Sequence, residues 1–467
     1  MISYFFKTYG CQANVADSQG LMQNLVDFGC TEASSEETAD LLVVNTCAVR
    51  EKAEQKLYSY LGQLSDLKRQ RPYIKIGVIG CVASYRKDEL YKRFDAINFV
   101  YGAREELPIL QTYLADLVVQ LETTKQLYAQ DPEKPLRSYQ DRNVKSLVQT
   151  KKLTPAAARL VALKGALASL QSPKEVGKSF INIMTGCNKY CTYCIVPFTR
   201  GREISYPMTE IVDRVRHDVA NGAKEVMLIG QNVNSYADPI TGAMFPELLR
   251  QIAAIEGEFW VRYISPHPQD MTVDLFDVMA AHRPKIAASV HFPMQSGSDT
   301  VLAAMNRNYT TKTYLEKINW IWERMPDATV SSDIIVGFPG ETEEDFQATM
   351  QMLETVRFDL IYSFIYSPRK YTKAFSMPDD CPADVKQQRL AVLQKRQMEI
   401  AAERNKANIG KTLRCLVEKR LENGKLLART EGNIRVMFDG DDVLIGSFIN
   451  ITIESAGPAQ MMGLMAA

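Results

Sequence analysis

The sequence predicts an α/β chain with three folded parts: an N-terminal βαβ domain, a longer β/α repeat of barrel type, and a small all-β barrel at the end. Three observations predict it. Each of the first three apolar runs ends at a cysteine; six β-rich runs then alternate with helix-length segments; short runs with turn signals follow from about residue 408. A length of 467 residues allows two to four domains, and a 46% hydrophobic share suffices for packed cores and excludes wholesale disorder. No apolar run approaches the roughly 18 residues of a membrane helix, so no membrane partner is expected. The opening MISYFFKTYGCQANVADS lacks the features of a signal peptide. Lys+Arg 55 balances Asp+Glu 55, which excludes a strongly basic body but not a local basic surface. Nine cysteines, an odd number, argue against a disulfide framework and for a reducing, cytoplasmic setting.

The first domain, expected over 1–112, repeats one unit. Ile2–Tyr9 leads to Cys11 and a helix over Val15–Phe28 with Leu21, Met22, Leu25 and Phe28 on one face. Asp40–Val44 leads to Cys47 and a charged helix ending near Lys68; Ile74–Ile79 leads to Cys81 and a helix around Asp88–Phe94. Successive cysteines stand about one βαβ unit apart, so the strands are read as a parallel sheet with covered faces. Residues 113–178 read as a linker with one helical insertion starting at Thr154 and Pro155. Over 179–405 the strand candidates are Phe180–Met184, Glu225–Ile229, Trp260–Ile264, Ser289–Phe292, Val330–Val336 and Leu360–Tyr366, closed by a long helix at Ala383–Asn405. Six βα units fit a partial TIM-like barrel or a doubly wound sheet. The tail, 406–467, carries four or five short β runs. Between Arg404 and Arg435 it holds nine Lys/Arg against three Glu, the place where a polyanion would bind, with Arg429 and Arg435 as candidate phosphate contacts.

The strongest chemical signal is Cys187-Asn-Lys-Tyr-Cys191-Thr-Tyr-Cys194, directly after the first barrel strand. Three thiolates so spaced hold three irons of a 4Fe–4S cubane and leave the fourth open to a substrate; the alternative is structural zinc on the C-x2-C pair. This run resembles the signature of the radical S-adenosylmethionine (SAM) enzymes. That resemblance implies an open iron that chelates SAM and one-electron cleavage to a 5′-deoxyadenosyl radical. Further candidates for contact with SAM or substrate follow strands and would line the barrel mouth: Gln231 and Asn232 in Gly230–Asn234, Ser265 before Pro266-His267, Gln295 before Ser296-Gly297, and Asp333 and Gly337 in the run to Glu341. Tyr193 matches the aromatic that packs near adenine in that family.

Cys11, Cys47 and Cys81 should meet along one sheet edge, where α/β folds place ligands. They suggest a second cluster with one open iron, against the alternative of unrelated buried cysteines. Lys7–Ser18 around Cys11-Gln-Ala-Asn14, Asn45-Thr-Cys47-Ala-Val-Arg50, Gly80-Cys81 and Gly186–Gly201 with Pro197 and Arg200 resemble the radical-SAM methylthiotransferases. Within them they are closest to the branch that makes 2-methylthio-N6-isopentenyladenosine in tRNA. The terminal barrel resembles that family's RNA-binding TRAM domain. Ala13 departs from the usual methionine after Cys-Gln, and 113–178 is longer than the pattern requires.

The resemblance implies methylthiolation of carbon 2 of N6-isopentenyladenosine next to the anticodon. One SAM methylates a sulfur at the Cys11/Cys47/Cys81 cluster; a second, at the Cys187/Cys191/Cys194 cluster, yields the radical that abstracts hydrogen. It also implies two 4Fe–4S clusters, SAM, a tRNA substrate, a reducing electron-transfer protein and a sulfur source, in a monomer. The alternatives are the threonylcarbamoyladenosine and ribosomal-protein branches, or a non-catalytic zinc RNA-binding protein. Cys30, Cys381 and Cys415 lack ligand spacing, and His267 and His291 read as satisfied polar residues near strand ends.

Overall fold

The computed structural model describes residues 1–48, 51–105, 107–130 and 177–466. The helix expected at Thr154 lies outside them. The chain divides into two compact units, Met1–Gln171 with Ile195–Arg202, and Ser172–Cys194 with Glu203–Ala467.

The first unit is built on β1 (Ser3–Tyr9), β2 (Thr31–Glu32), β3 (Leu41–Thr46), β4 (Lys75–Gly80) and β5 (Phe99–Gly102), parallel in the order β2-β1-β3-β4-β5. The run Leu41-Leu-Val-Val-Asn-Thr46 is buried at every position because both faces of this central strand are covered. Leu41 and Val43 meet α1 (Gln12–Asp27) and α4 (Leu107–Gln130); Leu42 and Val44 meet α2 (Glu51–Gln70) and α3 (Cys81–Arg93). β1 pairs Tyr4 with Leu41 through Tyr9 with Thr46, and β3 pairs Leu41 with Lys75 through Thr46 with Gly80, so the three strands end level.

Here the structure moves a boundary. α4 runs through the expected linker start at 113, and Tyr113, Leu114, Leu117, Val118 and Leu121 are core residues of this unit. Tyr113 packs edge-on to Phe99 at 5.2 Å, and Lys125 pairs with the fully buried Asp40 at 2.7 Å. The short helix α5 (Val196–Thr199) also belongs here, with Thr199 O accepting from Ser84 Oγ at 2.8 Å.

In the second unit the parallel strands are β6 (Lys178–Asn182), β9 (Glu225–Ile229), β10 (Trp260–Tyr263), β11 (Ser289–His291), β12 (Thr329–Val336) and β13 (Leu360–Ile365). The hairpin β7 (Met184–Thr185) and β8 (Ile204–Ser205) flanks the cysteine loop. The strands form β10-β9-β6 and β11-β12-β13, joined by a parallel bridge from Val261 to Ile286: an open, six-stranded partial barrel. Helices α6 (Met208–Ala220), α7 (Phe245–Ala253), α8 (Val273–Ala281), α9 (Asp299–Ala304), α10 (Thr311–Arg324), α11 (Glu343–Val356) and α12 (Ala383–Lys406) follow in chain order. Their apolar faces and the strands share one core.

The chain ends in a closed barrel, β14 (Thr412–Arg420), β15 (Leu426–Thr430), β16 (Arg435–Phe438), β17 (Phe448–Ala456) and β18 (Met461–Met465), in the order β14-β15-β16-β18-β17. It seats on the N-terminal ends of the parallel strands. Arg262 Nε binds Glu225 at 2.7 Å while its two terminal nitrogens donate to the carbonyls of Glu431 (2.7 Å) and Thr430 (2.9 Å). Thr329 Oγ1 donates to Gly432 O at 2.6 Å, and Arg283 pairs with Glu431 at 2.9 Å. Burial works against ionised Glu225, yet Arg262 and Lys178 hold its carboxyl below the usual carboxylate range. Among the described residues no helix is long and apolar enough to cross a membrane.

Removing one partner of a buried pair strands the other charge, at a cost of about 3–5 kcal/mol. Arg262→Met should therefore destabilise the second unit by roughly 3 kcal/mol, read as a lowered urea midpoint with an unchanged slope. A loss below about 1 kcal/mol would show that Glu225 is solvated after all.

Candidate active site

The parallel strands of each unit end on one side, and the expected cysteines gather there. In the first unit Cys11 follows β1 and caps α1, Cys47 follows β3, and Cys81 opens α3. Cys11 Sγ lies 3.2 Å from Asn14 Oδ1 and in hydrogen-bond reach of Cys47. Asn14 Nδ2 donates to Asn45 Oδ1 at 2.8 Å, and Asn45 Nδ2 returns to Asn14 O at 2.9 Å and Ser18 Oγ at 3.0 Å. This buried amide net locks the strand ends beneath the thiols. Gly80 makes room for it: a Cβ there would stand 2.2 Å from Asn45 Oδ1, and its φ of +93° is one that side chains avoid.

A cation completes this cluster of thiols. Arg200, 8% exposed, reaches back from the end of α5 to pair with Asp17 at 2.6 Å, and its field acts on both Cys11 and Cys81. The contact with Cys47, against burial and with help from Asn14 and Arg200, lowers the Cys11 thiol to about 6. Burial raises Cys81 despite Arg200. Arg200 stands in the sequence motif, but its spacing gives no sign that it serves the other set of thiols.

In the second unit Cys187, Cys191 and Cys194 occupy the loop after β7, and the fields of Cys187 and Cys191 act on one another. Gln231 Oε1 accepts from the Gly186 amide at 2.7 Å and so fixes the start of the loop. Thr192 N donates to Met305 O at 3.0 Å, and Thr192 Oγ1 to Ala304 O at 2.9 Å, fixing its middle. Arg307 is the residue the sequence did not single out. Its buried guanidinium donates to Cys191 Sγ at 3.3 Å and Pro293 O at 3.3 Å, and its Nε donates to Tyr309 Oη at 3.1 Å. Tyr193 packs beside Val301, Met305, Phe338, Tyr366 and Ala374, in the field of Arg307. Burial pushes the Cys187 thiol up to about 11.

The remaining candidates divide by role. Asn232 Nδ2 donates to Asp270 at 2.8 Å, whereas its buried Oδ1 has no hydrogen-bond partner. Ser265 and Gln295 both hold positive φ, +58° and +70°, a strained conformation for such residues that marks the strand ends as specialised. Asp333 lies 3.4 Å from His291 Nε2, with His291 Nδ1 at 3.0 Å from Ser331 Oγ. Gly337 serves the turn: its amide is taken by Glu341, and a Cβ would meet the Lys386 stem at 2.4 Å. His267 is held neutral, burial first and Arg307, Lys189 and Lys317 next lowering its pKa to about 2. Cys30 and Cys415 are core residues.

In the terminal barrel Arg429 is engaged by Glu418 at 2.8 Å and Asn433 at 2.6 Å, so it is not the free phosphate contact expected; Arg435, opposite it in the ladder, is exposed. Arg404, Arg414, Arg420 and Lys425 are likewise paired, with Asp359, Glu258, Asp442 and Asp439. Much of the local positive excess is neutralised within the fold.

Among the described residues no three His, Cys, Asp or Glu converge as a single bound metal ion requires. A cubane instead takes one thiolate on each of three irons, and none of the nine cysteines is tied up in a disulfide. Soft sulfur donors, grouped in threes beside buried guanidiniums, fit such a cluster.

Three family models match the chain: uncharacterized protein family UPF0004 over residues 3–102, the radical SAM superfamily over 181–353 and the TRAM domain over 406–459. Among curated relatives, the tRNA-2-methylthio-N(6)-dimethylallyladenosine synthase of Chlorobium luteolum is 38% identical, covering 98% of this chain and 96% of its own. Those of Endomicrobium trichonymphae (37%, 99% of each chain) and Syntrophobacter fumaroxidans (39%, 98% and 94%) align as fully. Among solved structures, the radical S-adenosylmethionine methyltransferase TsrM of Kitasatospora setae, with cobalamin and a 4Fe–4S cluster bound, superposes with a TM-score of 0.53 at 12% identity. The match covers 80% of this chain and 77% of TsrM and shows a shared fold.

In metal-free protein Cys11 should be the most readily alkylated of these thiols, with a half-maximal rate near pH 6, because its lowered pKa leaves it a thiolate above that value. Cys187 should stay protonated to about pH 11. Rates mapped by peptide mass spectrometry across pH 5–9 check this; equal profiles for the two would refute it.

Proposed function

The chain belongs to the tRNA-2-methylthio-N(6)-dimethylallyladenosine synthase family, and on that premise we propose that it places a methylthio group on carbon 2 of N6-isopentenyladenosine beside the anticodon of tRNA. It is a radical-SAM enzyme, and that family uses SAM and a 4Fe–4S cluster. The observation that carries the proposal is that two three-thiol sets stand at strand ends, each beside a buried arginine.

Cys187, Cys191 and Cys194 would hold one 4Fe–4S cluster, which would supply the electron for reductive cleavage of SAM, and Cys11, Cys47 and Cys81 would hold a second, which would supply a site for sulfur. The chain's own residues do the positioning. Gln231 and Thr192 hold the cysteine loop. The unpartnered Oδ1 of Asn232 is an acceptor left for a donor such as the SAM ammonium, since an unmet buried acceptor is costly. Tyr193 offers a half-buried aromatic wall for adenine; Ser265, Gln295 and Asp333 line the remaining strand ends. An aromatic C–H carries no proton that a base working near pH 7 can take, so functionalising it calls for radical rather than general-base chemistry. The TRAM domain and the tRNA-modifying relatives support a tRNA substrate. An electron-transfer protein, a sulfur source, a monomeric state and a cytoplasmic setting complete the reading.

Mass analysis of tRNA nucleosides from cells with and without the protein tests it. The 2-methylthio-N6-isopentenyladenosine signal should disappear without the protein; loss of a threonylcarbamoyl derivative instead would refute the assigned substrate. Anaerobically reconstituted protein should hold about eight irons, halved in the Cys187/Cys191/Cys194→Ala variant, which should not cleave SAM. The Cys11/Cys47/Cys81→Ala variant should cleave SAM and form no product. Product formation by it would refute the sulfur-carrying role.

Arg307 should tune the cluster beside Cys191, since a buried cation and an N–H···S bond favour the more negative, reduced state. Arg307→Met should lower the midpoint potential by on the order of 50 mV, with Arg307→Lys between, by redox titration followed by electron paramagnetic resonance. An unchanged potential would refute it.

A further inference from the structure

The loop after β13 alternates buried anchors with exposed aromatic and basic residues. Tyr366, Thr372 and Ala374 are buried, at 6%, 5% and 1% exposure, whereas Tyr371 and Phe375 are 51% and 53% exposed, and Lys370 and Lys373 are exposed too. The anchors make the loop rigid. Tyr366 N donates to Val336 O at 2.9 Å, Thr372 Oγ1 to Arg369 O at 2.6 Å and Phe375 N to Thr372 O at 3.2 Å. Above all, Ala374 N donates to Thr192 O at 2.8 Å. Thr192 lies between Cys191 and Cys194, so this loop is bonded directly to the cysteine loop.

Two features set it apart from ordinary surface aromatics, which are common singly. Tyr371 holds φ +77°, a conformation bulky residues rarely adopt and one that persists where the surroundings impose it. Lys370 Nζ stands 5.4 Å from the Tyr371 ring centroid, leaving an aromatic face edged by positive charge. Unstacked bases need flat π surfaces, and their phosphates need nearby cations. A protein partner would instead favour a contiguous apolar patch.

We propose that Lys370, Tyr371, Lys373 and Phe375 form a platform that stacks the single-stranded anticodon-loop nucleotides flanking the target adenosine and neutralises their phosphates. The proposal rests on the tRNA reading above and deepens it: the loop that carries the platform is anchored to the loop that carries the radical-generating site. Base stacking by such side chains contributes about a 5- to 150-fold change in affinity per aromatic removed, and each single-stranded phosphate contact about 0.7 in the log–log salt slope.

The test uses the full chain, anaerobically reconstituted, and a fluorescent anticodon stem-loop RNA across a salt series. Tyr371→Gly is the decisive variant. Glycine accepts the positive φ at no cost, so the unfolding midpoint should hold or rise while affinity falls at least fivefold. Phe375→Ala should weaken binding similarly, Tyr371→Phe should retain it, and Lys370→Ala with Lys373→Ala should flatten the slope by about 1.4. A duplex of the stem alone should bind wild type and Tyr371→Gly equally. Affinities within twofold of wild type for both aromatic variants, at wild-type iron content, would overturn the platform, as would equal losses on stem-loop and duplex. If those variants instead slowed cluster reduction by an acidic redox protein with RNA affinity intact, the surface would belong to the electron donor and the proposal would fall. Wild type that does not bind the stem-loop would overturn the tRNA reading itself.

Discussion

Parallel strands impose one constraint on which everything else in each unit depends: all their carboxyl ends point the same way. Loops leaving those ends meet whether or not they are close in sequence, and loops at the other ends are free for support. In the first unit this brings Cys11, Cys47 and Cys81 together from three successive strands that end in register. In the second it places the cysteine loop, Gln231, Ser265, Gln295 and Gly337 at one mouth and leaves Lys178, Glu225, Arg262 and Thr329 at the opposite end. Chemistry and docking are therefore separated by the length of the strands.

Charge is arranged to suit thiolate chemistry. A clustered set of ionised sulfurs in an apolar setting repels itself, and burial alone raises thiol pKa values, as at Cys81 and Cys187. One arginine answers this in each unit. Arg200 acts through Asp17, which fixes its direction, and Arg307 through Tyr309 and Pro293 O. Both are buried, so their fields are poorly screened. The neighbouring amides of Asn14 and Asn45 bond to one another, which keeps the first site polar and presents Asn14 Oδ1 to the Cys11 thiol.

Much of this was legible in the sequence because period and length carry it. Continuous apolar runs such as Leu41–Val44 identified buried parallel strands, and cysteine placement identified the two sites. Short elements were not legible. Phe99–Gly102 is four residues, too few for a period, and Met461–Met465 gives no alternation although it closes the barrel between β16 and β17. The expected linker start failed because the helix over 107–130 turns an apolar face to the sheet well past 112. Arg307 escaped because its bond to Cys191 joins positions 116 residues apart, a distance no local motif spans. Arg429 shows the converse: a positive count along the chain does not reveal which cations the fold has already neutralised.

The seat of the terminal barrel has a consequence for what the protein can distinguish. Thr329, which holds the Glu431–Gly432 loop, and Val336, at the mouth, bound a strand of eight residues, about 23 Å from one to the other at the usual rise. An RNA that engages the terminal barrel must therefore extend the length of the larger barrel before a base can enter its mouth. A free nucleoside or a trinucleotide meets one contact at a time, whereas a folded RNA of the right reach makes its second contact as an intramolecular event, at an effective concentration set by its stiffness. On the proposed tRNA reading, the arrangement would select substrates by reach.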